Sequence, residues 1–171
     1  IFKEKKLWAV TNPSSNLKLS SGIAPIQRML DEGVNIAIGT DGPASNNSLD
    51  MFKEMFLVST LSKVNLYKPD IVSARDVLKM ATINGAKTVG FDDIGEIKVG
   101  KKADLILIDT KKPHMQPEHN LLSNLVYSAK SSDVYLTMVN GKILYEDGKL
   151  NINIDEETII KKANEVAERI R

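Results

Sequence analysis

Cysteine is absent from the 171 residues, and histidine occurs twice. The first absence excludes disulfides, thiolate zinc sites and cysteine nucleophiles. The second excludes a metal site built from three histidines of one chain. Neither sign of charge is in excess. The 23 basic and 22 acidic residues are interspersed and leave a net +1, so nothing supports a nucleic-acid or anionic-membrane surface. No apolar run approaches the roughly 18 residues a membrane-spanning helix needs. The start, IFKEKKLWAV, lacks a signal peptide's apolar core, and the expected setting is cytoplasmic. A P-loop and a G-x-G-x-x-G are both missing, which removes the usual nucleotide-phosphate motifs. What is present is 42% hydrophobic and 26% charged residues. That composition suits a globular chain with one real core or two small ones.

The first half alternates strand and helix patterns. Residues 7–11 (LWAVT) form an apolar run stopped by Asn12, Pro13 and two serines, a buried-strand signal. Residues 22–32 place Ile23, Ile26, Met29 and Leu30 on one helical face. Residues 34–38 (VNIAI) read as a second strand, followed at once by Gly39, Thr40, Asp41 and Gly42. Helical spacing resumes over 49–61, with Asp50 or Ser48 as cap. Ser73 and Asp76 open one further helix that runs to a stop at Gly90. Strand, helix, strand, helix is the unit of a parallel α/β sheet or barrel.

Beyond Gly90 the pattern becomes β-rich. Residues 94–99 form a short β segment, 104–109 (DLILID) a buried strand, and 135–140 and 142–146 a hairpin across Asn140-Gly141. Residues 111–132 read as a loop holding both histidines. Asp155 caps a last helix with Ile159, Ile160, Ala163, Val166, Ala167 and Ile170 in one stripe. The expected division is 1–90, 91–150 and 151–171.

Asp41 is the sharpest candidate for chemistry. It follows an apolar strand directly, and in α/β folds ligands bind beyond the carboxyl ends of strands. A carboxylate there can hold a metal through oxygen and accept a proton from water. Asp-Gly is also a common turn pair, which is the competing reading. Asn12, Ser15 and Asn16 follow the other strand and could line the same mouth. Ordinary side-chain-to-backbone bonds in a loop explain them equally. Asn46, Asn47 and Ser48 form a similar cluster that could cap the helix at Leu49. His114 and His119 are five apart in a proline-containing loop, a spacing unlike a helical metal pair, and are read as structural.

Three stretches together resemble one family: NPSSNLKLSSGIAPI at 12–26, NIAIGTDGPASNNSLDMFKEM at 35–55 and ATINGAKTVGFDDIGEIKVGKKADLILID at 81–109. They are similar to the C-terminal part of amidohydrolases of the methylthioadenosine/S-adenosylhomocysteine deaminase type, near the triazine chlorohydrolases. LVYSA at 125–129 and VNGK at 139–142 continue the likeness. The resemblance implies an α/β fold: the last two strands and helices of a (β/α)8 barrel over 1–90, part of a small β-sandwich over 91–150, and a C-terminal amphipathic helix over 151–171. It implies that Asp41 is a ligand of one divalent metal, zinc first, with iron, manganese or nickel as alternatives. Asp41 would also accept the water proton and touch the substrate, a purine nucleoside-type small molecule. Asn12, Ser15 and Asn16 would be further substrate-binding residues.

A complete barrel needs about 250 residues. The family's histidine ligands and acid/base glutamate have no counterpart in this chain. The chain alone is therefore expected to be inactive and metal-free. Exposed strand edges predict self-association or pairing with the missing N-terminal half, with neither nucleic acid nor membrane as partner. The alternatives are a chlorohydrolase, another ring deaminase of guanine or cytosine type, or a noncatalytic self-associating module.

Overall fold

The structure is a computed structural model that describes residues 1–170; Arg171, the last residue of the expected C-terminal segment, lies outside them. The first half contains β1 (Trp8–Thr11), α1 (Pro13–Lys18), α2 (Ile26–Asp31), β2 (Asn35–Ile38), α3 (Pro43–Asn46), α4 (Met51–Leu66), α5 (Ala74–Ala81) and α6 (Ile83–Thr88). Strands β1 and β2 pair in parallel, with Thr11 opposite Ile38. Gly39 N–H donates to Thr11 O (3.0 Å) and carries the pairing one residue further, to the threshold of Asp41. Strand β2 is buried at Ile36, Ala37 and Ile38, as in a parallel sheet covered on both faces. On β1, Val10 stays half exposed.

The helices explain the core. The Asp50 side chain accepts from the Phe52 and Lys53 amides and starts α4, a cap worth about 1 kcal/mol. Phe52, Met55 and Val58 on one face of α4 meet Ile36 and Ile38 of β2, Ile26 of α2, and Val77 and Met80 of α5. Each fully buried side chain of this size stabilises the fold by about 1.5–3 kcal/mol. Helix α2 is shorter than its pattern, because Gly22 to Pro25 lie outside it. The single helix expected up to Gly90 is two helices. The chain breaks at Thr82 (φ −121°, ψ −92°), and Asn84 Nδ2 turns inward to donate to Ile36 O at 2.7 Å.

The second half contains β3 (Leu105–Ile108), α7 (Leu121–Tyr127), β4 (Val134–Val139), β5 (Lys142–Glu146), β6 (Lys149–Leu150) and α8 (Glu156–Ile170). The strands form an antiparallel sheet in the order β3-β4-β5-β6. Asn140 (φ +49°) and Gly141 (φ +77°) make the β4–β5 turn, in the left-handed conformations that a two-residue hairpin requires. Three expectations change here. Residues 94–99 form no strand. Strand β3 is not buried, since Ile106 and Leu107 are about half exposed. The expected loop over 111–132 contains α7, which the Asn120 side chain caps by accepting from Ser123 N–H.

Helix α7 packs against α4 and α5. Val126 thereby joins the core of the first half. Among the described residues no helix is long and apolar enough to cross a membrane.

Candidate functional site

Asp41 stands in the turn between β2 and α3, at the carboxyl end of the parallel pair. Its backbone is left-handed (φ +59°), a region Asp enters more easily than most residues because its short side chain bonds locally. Here Oδ1 accepts from Gly42 N–H at 2.7 Å. Oδ2 accepts from Ser15 Oγ at 2.7 Å. The carboxyl group is exposed, and its pKa is held below the ordinary value by the Ser15 hydroxyl first, then the Ser45 hydroxyl and the Gly42 amide. Ser45 Oγ also lies 3.1 Å from Gly42 O. One hydroxyl hydrogen serves one of these acceptors at a time, so the direct bonds from Ser15 and Gly42 are the dependable restraints.

Ser15 reaches Asp41 because Pro13 begins α1 directly after β1 and turns Ser14 and Ser15 inward, where both are buried. Asn12 and Asn16 are half-buried on the same turn, and neither hydrogen-bonds Asp41. Gly39 leaves room for Asn12: a Cβ at residue 39 would fall 2.5 Å from Asn12 Oδ1 and 3.2 Å from Val10 Cγ1.

The cluster at 46–48 does not cap α4, a task taken by Asp50. Asn46 is buried instead, and its Nδ2 donates to Thr40 O (2.6 Å) and to Glu54 Oε1 (2.9 Å). Glu54 Oε2 accepts from Ser14 N–H at 3.0 Å. Glu54 has no solvent exposure. The periodicity reading missed it, although a carboxyl group among Met51, Met55 and Val58 on an apolar helix face was a visible signal.

Both histidines lie far from Asp41 in sequence. His114 Nε2 is 2.8 Å from Asp133 Oδ2, which also accepts from Lys130 N–H. His114 thus holds the linker to the start of β4.

As a metal ligand, Asp41 fits in kind: an exposed carboxylate, favoured in its charged form and oriented by donors on both oxygens. Among the described residues no three or more His, Cys, Asp or Glu side chains gather into a metal-binding group. A working metal site needs several ligands, and among the described residues Asp41 is a single candidate carboxylate.

The amidohydrolase family model matches residues 2–144. The 5-methylthioadenosine/S-adenosylhomocysteine deaminase of Dictyoglomus thermophilum is 53% identical over 167 residues, covering 98% of this chain and 39% of that protein. A solved adenosine deaminase from Xanthomonas campestris with bound zinc superimposes with a TM-score of 0.95 at 39% identity, covering 99% of this chain and 39% of that one. A zinc-complexed atrazine chlorohydrolase from Arthrobacter aurescens gives a TM-score of 0.80 at 26% identity, over 91% of this chain and 34% of its own. The chain thus spans about two fifths of the length of the relatives it matches. A family match over most of the residues, with the parallel strands and their helices in place, means that this chain belongs to the amidohydrolase family.

Proposed function

We propose that this chain is the Asp41-bearing part of a metal-dependent hydrolase that removes the amino group of an adenosine-type purine. The observation that carries the reading is the Asp41 carboxylate, held ionised by Ser15 and Gly42 at the end of β2. The similarity to a methylthioadenosine/S-adenosylhomocysteine deaminase supports the substrate class, and the zinc in a solved relative supports the metal. Residues 1–90 would form the barrel part and 91–150 a share of a β-sandwich, with α7 seated on the barrel helices and α8 following as a terminal helix.

Asp41 would be one ligand of the ion, the rest coming from outside these residues. A divalent ion supplies Lewis acidity and makes water nucleophilic near neutral pH. The second task of Asp41 is to accept the proton that water loses as its oxygen bonds to the ring carbon bearing the amino group. That amino group takes up the proton Asp41 accepted and leaves as ammonia, and the remaining hydroxyl hydrogen passes to the ring nitrogen as the carbonyl forms. Ser15 keeps the accepting carboxylate aimed, and Asn12 and Asn16, on the same turn, would contribute contacts to the substrate. A carboxylate whose protonated form is disfavoured is in the right state to bind metal at neutral pH.

The test uses the full-length protein that carries this chain. Asp41→Ala loses bound metal and at least about a thousandfold in turnover, with its circular-dichroism spectrum and Tm close to the parent's. Turnover within a factor of a few of the parent overturns the reading. The chlorohydrolase likeness favours a second chemistry on the same site, loss of halide from a heteroaromatic ring. Ammonia and chloride release from a substrate panel separate the two.

A further inference from the structure

We propose that Glu54 is a positioning residue for Asp41, holding the two strand-end turns at the separation that lets Ser15 grip the carboxylate. The inference rests on the metal reading above and concerns a side chain that touches neither Asp41 nor the mouth. One Glu54 oxygen takes the amide hydrogen of Ser14, whose neighbour Ser15 bonds Asp41. The other takes a hydrogen of Asn46 Nδ2, whose second hydrogen goes to Thr40 O, one residue before Asp41. A single buried carboxyl group therefore ties the backbone beside Ser15 to the backbone beside Asp41.

The polarity of this relay is fixed from end to end. Both groups that meet Glu54 are donors, so position 54 needs two acceptors. Glutamine would set its own NH₂ against either Ser14 N–H or Asn46 Nδ2. Rotating the Asn46 amide to accommodate it would aim Oδ1 at Thr40 O, acceptor against acceptor. Asn46 Oδ1 receives no hydrogen bond, so the side chain is held by its two Nδ2 bonds alone, to Glu54 and to Thr40 O. For packing alone, an apolar residue on this face of α4 would serve better, since burying a polar group costs free energy that its bonds only offset. Positioning supplies the missing reason. A misplacement of about 1 Å at a reacting group costs about a hundredfold in rate.

The experiment uses the full-length protein with four variants: Glu54→Gln, Asn46→Ala, Ser59→Ala and Asp41→Ala. Ser59 is a control on the same helix, equally buried, but bonded away from the site to Val72 O and Tyr127 OH. Zinc affinity by competition with a chelating indicator is read beside kcat, KM and Tm. Glu54→Gln is expected to weaken zinc binding by about 10–100-fold and to lower kcat by a similar factor, with KM within about threefold of the parent. Asn46→Ala breaks the relay at its other joint and shows the same zinc loss, which keeps the inference testable if Glu54→Gln does not fold. Ser59→Ala lowers Tm while zinc affinity and kcat stay at parental values.

Parental zinc affinity in folded Glu54→Gln, or in Asn46→Ala, overturns the inference. An equal zinc loss in Ser59→Ala overturns it too, by reducing the effect to general destabilisation. If Asp41→Ala keeps zinc and turnover, the metal reading falls and takes this inference with it. Loss in Asp41→Ala without loss in Glu54→Gln sinks the inference alone.

Discussion

Ser15 Oγ donates to Asp41 Oδ2 at 2.7 Å, joining residues 26 apart in sequence. The bond links the turn after β1 to the turn after β2. Two parallel strands paired in register bring their carboxyl ends together, and the side chains that follow them meet there. Ser15→Ala keeps the carboxylate and removes the hydroxyl that orients its Oδ2. If Asp41 holds the metal as proposed, metal affinity in the full-length protein falls about tenfold, the low end for residues that orient a ligand. A chelator titration showing parental affinity would contradict it.

Gly39 sets the spacing between these turns. Gly39→Ala would press its Cβ into Asn12 Oδ1 and Val10 Cγ1. The Asn12 side chain can swing away and the Val10 methyl group must give by a few tenths of an ångström, so the expected cost is about 1 kcal/mol, the low end for overpacking. Urea unfolding measures it. If Asn12 contacts substrate as proposed, KM rises as well.

Asp133 gives the fold a pH dependence. Burial alone would raise its carboxyl pKa, but the bonds from His114 and the Lys130 amide, with the nearby Lys112 ammonium, outweigh burial and leave it below the ordinary value. Lys112 Nζ sits 3.3 Å from Oδ1, an ion pair short of hydrogen-bond geometry. A depressed carboxyl pKa contributes stability above its unfolded value, about 3.9. That contribution is lost as the pH falls through the folded value. Asp133→Asn therefore lowers Tm at pH 7, and its difference from the parent shrinks below about pH 4. Parallel melting curves across the acid range check this, and a constant difference would refute it.

Tyr127 fastens α7 to α4 through a relay whose direction is set. Ser59 Oγ donates to Val72 O, so the Tyr127 hydroxyl donates to Ser59 and accepts from Lys63 Nζ at 2.6 Å. Lys63 Nζ also lies 4.8 Å from the ring centroid. Tyr127→Phe keeps the ring and the cation–π contact and loses the hydroxyl bonds, for an expected loss of about 1 kcal/mol. Tyr127→Leu, which gives up the ring as well, costs more in the same unfolding assay.

The isolated 171-residue chain is expected to self-associate. Ile97 and Val99 are 90% and 101% exposed, and α8 has no buried residue although Ile159, Ile160, Val166 and Ile170 line it. The free edge of β1 adds unpaired backbone groups. Light scattering that shows a monomer over a hundredfold concentration range would refute this.

Local chemistry made much of the fold legible. Asn140-Gly141 specified a hairpin, Asp50 or Ser48 a helix start, and the apolar run before Gly39 a strand with Asp41 at its end. These features depend on neighbours a few residues away, and a linear sequence displays such neighbours directly. Helix α7 escaped the reading because Pro113 and Pro117 mark the segment before it as a loop. The break at Thr82 escaped because Asn84 is drawn to Ile36 O, 48 residues earlier. The candidate site divides in the same way. By itself the sequence determined that Asp41 follows a strand and that polar residues follow the other. Tertiary structure decided that Ser15, and not Asn12 or Asn16, bonds the carboxylate, and that Glu54 ties the turns together. Their partners lie 26 and 40 residues away along the chain. Only strand pairing and helix packing bring them within hydrogen-bond distance, and hydrophobic periodicity records which face is buried, not which buried groups meet.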